Sequence, residues 1–215
     1  TLNRNRTSFT PNLSTVYQFT KNKSIRINYY GRSIHPGLDQ IEPLKQNAQQ
    51  LVQYVDNFEL KSGFSNSLNW SYNSYKPLKS QSFYIFSNIG NTVNAINSRV
   101  DMNLNTGMRT IQFVNIDRKN WNASVSSNYS FLLNRKQKLN GSIGLGMNFN
   151  NTYSYLAVNN GETQLNNNEF LRIRQYIGLS RYNDKGLSIN LSLDPGIQIM
   201  RTSLQPTLNS TAFTM

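Results

Sequence analysis

The chain contains no cysteine. This absence excludes a disulfide framework, a thiolate metal site and a cysteine nucleophile. No run of about 18 apolar residues occurs, so we expect no transmembrane helix, and residues 1–22 lack the apolar segment of a signal peptide. Because the chain also begins without Met, we expect it to be a segment of a longer, processed protein.

Histidine is limited to one residue, His35, which lies at the start of a loop beside Pro36. General acid–base or nucleophilic catalysis requires a positioned partner, and no nucleophile motif such as Gly-x-Ser-x-Gly is present. The acids nearest in sequence match no calcium-loop spacing: Asp39, Glu42, Asp56 and Glu59. We therefore predict no catalytic residue, no metal site and no cofactor, and we do not expect an enzyme.

Acidic residues are also scarce. Ten Asp and Glu stand against 22 Lys and Arg, which gives a net charge of +12. Such a balance can indicate a nucleic-acid partner. Here the basic residues fall largely in short turns and form no stripe with interleaved aromatics, so we predict no nucleic-acid binding and interpret these turns as solvated.

The abundant feature is a period-two alternation of apolar and small polar residues. The stretch 139–150 reads LNGSIGLGMNFN, with apolar side chains at every second position except Gly141. This pattern predicts a strand with one apolar face and one polar face. It recurs, more or less clearly, in segments beginning near residues 8, 25, 64, 82, 121, 170 and 187. The sequence thus predicts an all-β chain of about eight strands.

The connections between these strands alternate in length. Short polar links lie at 20–23, 76–80, 134–138 and 183–186, and long links at 34–63, 97–107 and 159–168. Outer-membrane barrels have short periplasmic turns and long extracellular loops. We therefore predict one antiparallel, up-and-down transmembrane β-barrel segment over residues 1–215, in the bacterial outer membrane, with loop 34–63 extracellular.

In such a barrel the apolar face contacts lipid and the polar face lines a wet lumen. Because Arg facing lipid is costly, Arg172 and Arg174 should point inward, where an acidic plug, an anionic ligand or acids from further strands would balance them. The residues expected to point outward from the same strand are Leu171, Ile173, Ile177 and Leu179. The aromatic residues expected in an interfacial girdle are Trp70, Tyr72, Tyr75, Trp121, Tyr129 and Phe131.

Two stretches carry a family resemblance: YYGRSIHPGLDQIEPLKQNAQQ (29–50) and YVDNFELKSGFSNSLNWSYNSY (54–75). They resemble the barrel of TonB-dependent receptors and related outer-membrane proteins of Bacteroidetes. The matching residues are Tyr30, Gly31, Arg32, Pro36, Leu38, Gln40, Ile41, Pro43, Asn57, Leu60, Lys61 and the segment 113–117. The departures are Asp56 for a Gly, Phe58 and Ser62 for two Pro, and Gly63 for a Glu.

The resemblance implies uptake of a bulky nutrient, such as a siderophore or a glycan. It also implies a plug domain, TonB-type energy coupling and further strands in segments outside this chain. Two alternatives stay open: a structural or adhesive outer-membrane barrel without energy coupling, and a soluble, secreted, carbohydrate-binding β-sandwich. No ligand-binding residue is assigned, but loop 34–63 is the expected contact surface.

Overall fold

The structure is a computed structural model that describes residues 7–42, 51–159, 161–182, 188–204 and 210–214. One sheet contains thirteen strands: β1 (Asn12–Thr20), β2 (Lys23–Ile34), β3 (Val52–Val55), β4 (Gly63–Lys76), β5 (Gln81–Val93), β6 (Ala95–Met102), β7 (Arg109–Ile116), β8 (Asn120–Asn134), β9 (Leu139–Val158), β10 (Gln164–Tyr182), β11 (Ser188–Leu193), β12 (Gly196–Thr202) and β13 (Ser210–Thr214). Two short helical segments accompany them, α1 (Leu38–Ile41) and a 3-10 turn at Pro77–Lys79. Among the described residues, no helix has the length and apolar character needed to span a membrane.

The main path of the sheet follows the order β1-β2-β4-β5-β8-β9-β10-β12-β13, and every pair along it is antiparallel. The described connections β1–β2, β4–β5 and β8–β9 lie at one end of the strands, the turn end, where β10 also ends and β11 begins. We call the opposite end of the strands the loop end. The strands β1 and β13 both run from the loop end to the turn end, and they do not pair with each other in the part described.

Strands β11 and β12 are two halves of one strand beside β10. Their register against β10 is the same, since Ile177 pairs with Leu193 and Arg174 with Gly196. The interruption is at Pro195, which has no N–H for the ladder. Its carbonyl nevertheless accepts a hydrogen bond from the Gln175 N–H at 2.8 Å. The strand therefore continues across the proline with one ladder bond missing.

A second branch leaves the main sheet at the loop end. Asn94 adopts a left-handed conformation (φ 52), which Asn tolerates better than most residues, and this kink takes β6 away from the β5 direction. The hairpin β6–β7 then pairs through β6 with β9 and through β7 with β3, both in parallel. We call residues 35–42, 51–62 and 94–119 the loop layer, because they add an ordered tier at the loop end of the main sheet.

The structure confirms the all-β antiparallel class and corrects its details. The eight predicted strands correspond to β1, β2, β4, β5 and β8–β11, and the count is too low because β3, β6, β7, β12 and β13 were not recognised. The predicted loop 97–107 is largely part of the β6–β7 hairpin. The predicted loop 159–168 shortens to 159–163, because β9 and β10 pair from Leu156 and Gln164 onward. Since the described strands form one sheet, the β-sandwich alternative is wrong.

Three predicted turns lie where short connections join β1–β2, β4–β5 and β8–β9. The fourth, at 183–186, lies outside the described residues, as does Pro43 of the resemblance motif. Which side of the membrane each end faces stays a prediction.

The buried apolar residues of the described chain are few and belong mostly to the loop layer: Ile41, Leu60, Ala95, Ile116 and Ala157. By contrast, large apolar side chains along the barrel strands are exposed. Ile143 is 53% exposed, Leu145 46% and Leu191 68%. An exposed apolar surface of this extent is typical of a surface that contacts a membrane or another protein, and its band along many strands favours a membrane.

We predict that Leu145→Arg prevents insertion of the chain into the membrane. An arginine on the lipid face near the bilayer midplane costs about 2–4 kcal/mol. The matched control is Gly146→Arg, one residue along the same strand but on the opposite face, where a Cβ would meet no atom within 4 Å. The measurement is the amount of heat-modifiable protein in the membrane fraction. Equal insertion of both variants would contradict the assignment of faces.

Candidate functional site

The strand register sorts the side chains of the main sheet into two unlike faces. One row across the sheet contains Ile27, Trp70, Ser87, Val125, Met147, Ile173, Ile197 and Phe213. The next row, one residue along each strand, contains Asn28, Asn69, Asn88, Ser124, Asn148, Arg172, Gln198 and Ala212. Arg172 and Arg174 therefore share the polar face, and the predicted outward set of β10 lies on the apolar face. Both predictions are confirmed.

Amide side chains on the polar face bond to one another across strands. Asn88 donates from Nδ2 to Asn69 Oδ1 at 2.6 Å, and Asn122 donates from Nδ2 to Asn88 Oδ1 at 2.8 Å. At the sheet edge, the Ser14 hydroxyl donates to Asn28 Oδ1 at 2.7 Å. Because an amide is both a donor and an acceptor, this ladder satisfies itself without charge. The result is a hydrophilic sheet face of short side chains.

Glycines on both faces make room for aromatic rings. On the polar face, a Cβ at Gly178 would lie 2.6 Å from the Tyr176 hydroxyl, and a Cβ at Gly144 would lie 3.3 Å from Tyr176 Cβ. On the apolar face, a Cβ at Gly141 would lie 2.9 Å from Phe131 Cζ. The gap that Gly141 leaves in the apolar pattern is thus occupied by the ring of its neighbour on β8.

Positive charge on the polar face is only partly neutralised. Arg174 Nη1 lies 3.8 Å from Asp194 Oδ2, a loose and half-exposed pair that contributes little to stability. The Nε of Arg172 is buried and has no hydrogen-bond partner among the described residues. Arg26, five strands away, shares the register row of Arg174. An anionic group on this side of the sheet would therefore find a favourable potential at these arginines.

The apolar face ends in aromatic rings at the turn end. Ring centroids are 4.8 Å apart in Tyr17–Phe19, 6.5 Å in Phe19–Tyr72, 6.1 Å in Tyr72–Phe83 and 5.4 Å in Tyr129–Phe131, and Phe83 pairs directly with Tyr129. We call these six residues the lower aromatic belt. Such rings occupy the level of the lipid headgroups at the edge of a hydrocarbon layer.

The belt differs from the predicted girdle in its members. Tyr72, Tyr129 and Phe131 belong to it. Trp70 lies in the middle of β4, and Tyr75 points to the polar face because it alternates with Tyr72 and Ser74. Trp121 lies at the opposite end of β8. The sequence pattern missed Tyr17, Phe19 and Phe83, since only the pairing register shows that their strands end at the same level.

At the loop end, the apolar face changes within one register row to side chains that are amide or charged, with Trp121 as the exception. The row contains Asn66, Asn91, Trp121, Asn151, Glu169 and Arg201. On β9 the apolar band below it extends from Leu139 to Phe149, about 34 Å along the strand. At a tilt of about 40° this is a height of about 25 Å, the thickness of the apolar band of membrane barrels.

Within the loop layer, asparagine side chains hold the segment 57–62 against β7. Asn115 accepts from the Lys61 N–H at 2.8 Å and donates from Nδ2 to the carbonyls of Lys61, at 2.9 Å, and Asn94, at 3.2 Å. Asn57 donates from Nδ2 to the Phe113 carbonyl at 2.7 Å. These bonds fix the segment 57–62 against β7, so Asn57, Lys61 and Asn115 of the resemblance motif hold this part of the loop in place.

The single histidine has a structural position. His35 Nε2 lies 2.9 Å from the Ser8 hydroxyl, and Nδ1 lies 2.7 Å from the Ser62 hydroxyl. The ring therefore ties the start of β1 to the approach to β4. No group of three His, Asp or Glu side chains within the described ranges is placed to hold a metal ion.

We predict that Asn115→Asp loosens the loop layer without unfolding the barrel. The aspartate keeps the acceptor but loses both donors, which leaves the carbonyls of Lys61 and Asn94 without this partner and adds a charge beside them. The measurement is limited proteolysis of intact cells or proteoliposomes, with faster cleavage within 51–62 expected. The control is Asn105→Asp at the exposed tip of the β6–β7 hairpin, which makes the same change of charge. Equal cleavage rates in the two variants would contradict the anchoring role.

Comparison with known proteins gives one family. A model described as the outer membrane protein beta-barrel family matches residues 1–211. No curated protein and no solved structure matches the chain. The matched range contains both faces of the sheet, the lower aromatic belt and the loop layer.

Proposed function

Because the chain belongs to the outer membrane protein beta-barrel family and so lies in the bacterial outer membrane, we propose that it forms part of the wall of a TonB-dependent-type receptor. The receptor takes up a bulky nutrient, such as a siderophore or a glycan, with energy supplied from the inner membrane. The short turns face the periplasm, and the loop layer faces the exterior.

The small side chains of the polar face carry this proposal. A closed barrel of eight strands is filled by its own interior side chains. Among the described residues the main path already has nine strands and is still open, and its polar face carries mainly Asn, Ser and Gly, with a few aromatic and arginine side chains. Such a wall suits a wide lumen that contains a plug or passes a large solute.

The loop layer supports the second half of the proposal, which is contact with a solute. Its backbone is held by the bonds of Asn57 and Asn115, yet apolar side chains remain exposed on it: Leu38 is 65% exposed and Phe58 44%. A binding surface on a held backbone loses less conformational entropy when a ligand binds.

The second candidate is an adhesive or structural barrel without energy coupling. The ordered extension of the sheet through β6, β7 and β3 favours it, because a surface attachment protein also needs a stable exposed tier. The two functions differ in their need for energy and in the phenotype of their loss.

We predict that deletion of the gene abolishes growth on at least one bulky source of iron or carbon, tested as a panel of ferric siderophores and oligosaccharides. Uptake of the radiolabelled nutrient should also stop when a protonophore collapses the proton gradient, because a coupled receptor draws its energy from that gradient. Growth on glucose and on excess inorganic iron is the control. Loss of surface attachment with unchanged, protonophore-insensitive uptake would favour the adhesive barrel instead.

A further inference from the structure

The short turns at the turn end form one continuous basic rim. The Tyr75 N–H donates to the Asn22 carbonyl at 2.9 Å, and Arg135 Nη2 donates to the Leu78 carbonyl at 3.1 Å, so the three described turns contact one another in sequence. Their basic residues are Lys21, Lys23, Lys76, Lys79, Arg135, Lys136 and Lys138. The segments 20–23, 76–80 and 134–138 contain no acidic residue.

Two of these lysines point to the apolar face of the sheet. Lys23 alternates in phase with Ile25 along β2, and Lys76 is in phase with Tyr72 along β4. Arg181 follows Leu179 on the same face of β10. Each base lies just beyond the end of the apolar band, where long basic side chains extend to the membrane surface.

The loop end of the same face has a different charge pattern. There Glu169 pairs directly with Arg201 across β10 and β12, so an acid and a base share one row. Within this register row an acid therefore balances a base, whereas the described turns at the turn end carry only bases.

A cleft separates the β1–β2 turn from the 3-10 turn at Pro77–Lys79. Its polar lining consists of Thr20, Asn22, Lys23, Tyr75, Lys76 and Lys79, and no acidic residue contributes to it. Three lysines therefore line one open cleft next to the lower aromatic belt, and two of them, Lys23 and Lys76, lie on the apolar face of the sheet. This set of donors suits a phosphate group.

We propose that this cleft binds the phosphate headgroup of an anionic phospholipid in the inner leaflet of the outer membrane. The acyl chains then lie on the apolar face against Tyr17, Phe19 and Tyr72. Lys23 and Lys76 contact the phosphate, and Lys79 closes the cleft from the 3-10 turn. The proposal does not depend on nutrient uptake, but the leaflet follows from the orientation proposed above.

The test uses the protein purified from outer membranes and reconstituted into phosphatidylethanolamine vesicles. Electron spin resonance of spin-labelled lipids measures the motionally restricted fraction of phosphatidylglycerol relative to phosphatidylethanolamine. We expect a preference for phosphatidylglycerol of about fivefold or more, because one basic residue near the surface contributes about 1 kcal/mol. The preference should weaken in high salt.

The decisive variant is the triple substitution Lys23→Gln, Lys76→Gln and Lys79→Gln, which should reduce the preference to near unity. The matched control removes three exposed bases at the loop end: Arg109→Gln, Arg118→Gln and Lys119→Gln. Heat modifiability verifies that both variants are folded. No preference in the wild type, or an equal loss in both triple variants, would overturn the proposal. Displacement of labelled phosphatidylglycerol by lipid A but not by unlabelled phosphatidylglycerol would overturn it too, since lipid A belongs to the other leaflet.

Discussion

Backbone hydrogen bonding in a solvent that offers none is the constraint on which the rest of this structure depends. In a hydrocarbon layer each N–H and C=O must find its partner in a neighbouring strand. The long hairpin of β9 and β10 satisfies this requirement over eighteen consecutive positions, from Gln164–Leu156 to Arg181–Leu139. Where Pro195 removes one donor, its carbonyl and the unchanged register keep the strand in place.

Once the backbone groups are paired, the side chains of the two faces can differ in polarity. The apolar face contains few packed contacts, because lipid takes the place of a core. The polar face has a different requirement, because its side chains must be both hydrophilic and short. Asparagine meets both conditions, since its side chain is short and its amide hydrogen-bonds to the next amide across the sheet. The packed apolar interior instead belongs mainly to the loop layer, around Ile41, Leu60 and Ile116.

The alternation of apolar and polar residues predicted those strands that have an apolar environment on one face and a polar environment on the other along their whole length. It placed β8, β9 and β10 and the inward direction of Arg172, because lipid on one side imposes a strict period of two. It did not identify β6 and β7, where the left-handed Asn94 carries the chain out of the barrel wall and both sides of the strands meet protein or water. The lower aromatic belt and the cleft at Lys23 and Lys76 depend on which strand ends lie side by side. That information is in the register and not in any single segment.

The direction of the two edge strands limits how the wall is completed. In the part of the chain that the structure describes, nine strands in strict alternation leave β1 and β13 running the same way, so a barrel closed by these alone would contain a parallel seam. A second copy adds another nine strands and creates the same mismatch at both junctions. An entirely antiparallel cylinder, the usual form in bacterial outer membranes, therefore requires an odd number of additional strands for each such wall. Because the number of strands is odd, two copies of this sheet alone cannot close into an entirely antiparallel barrel.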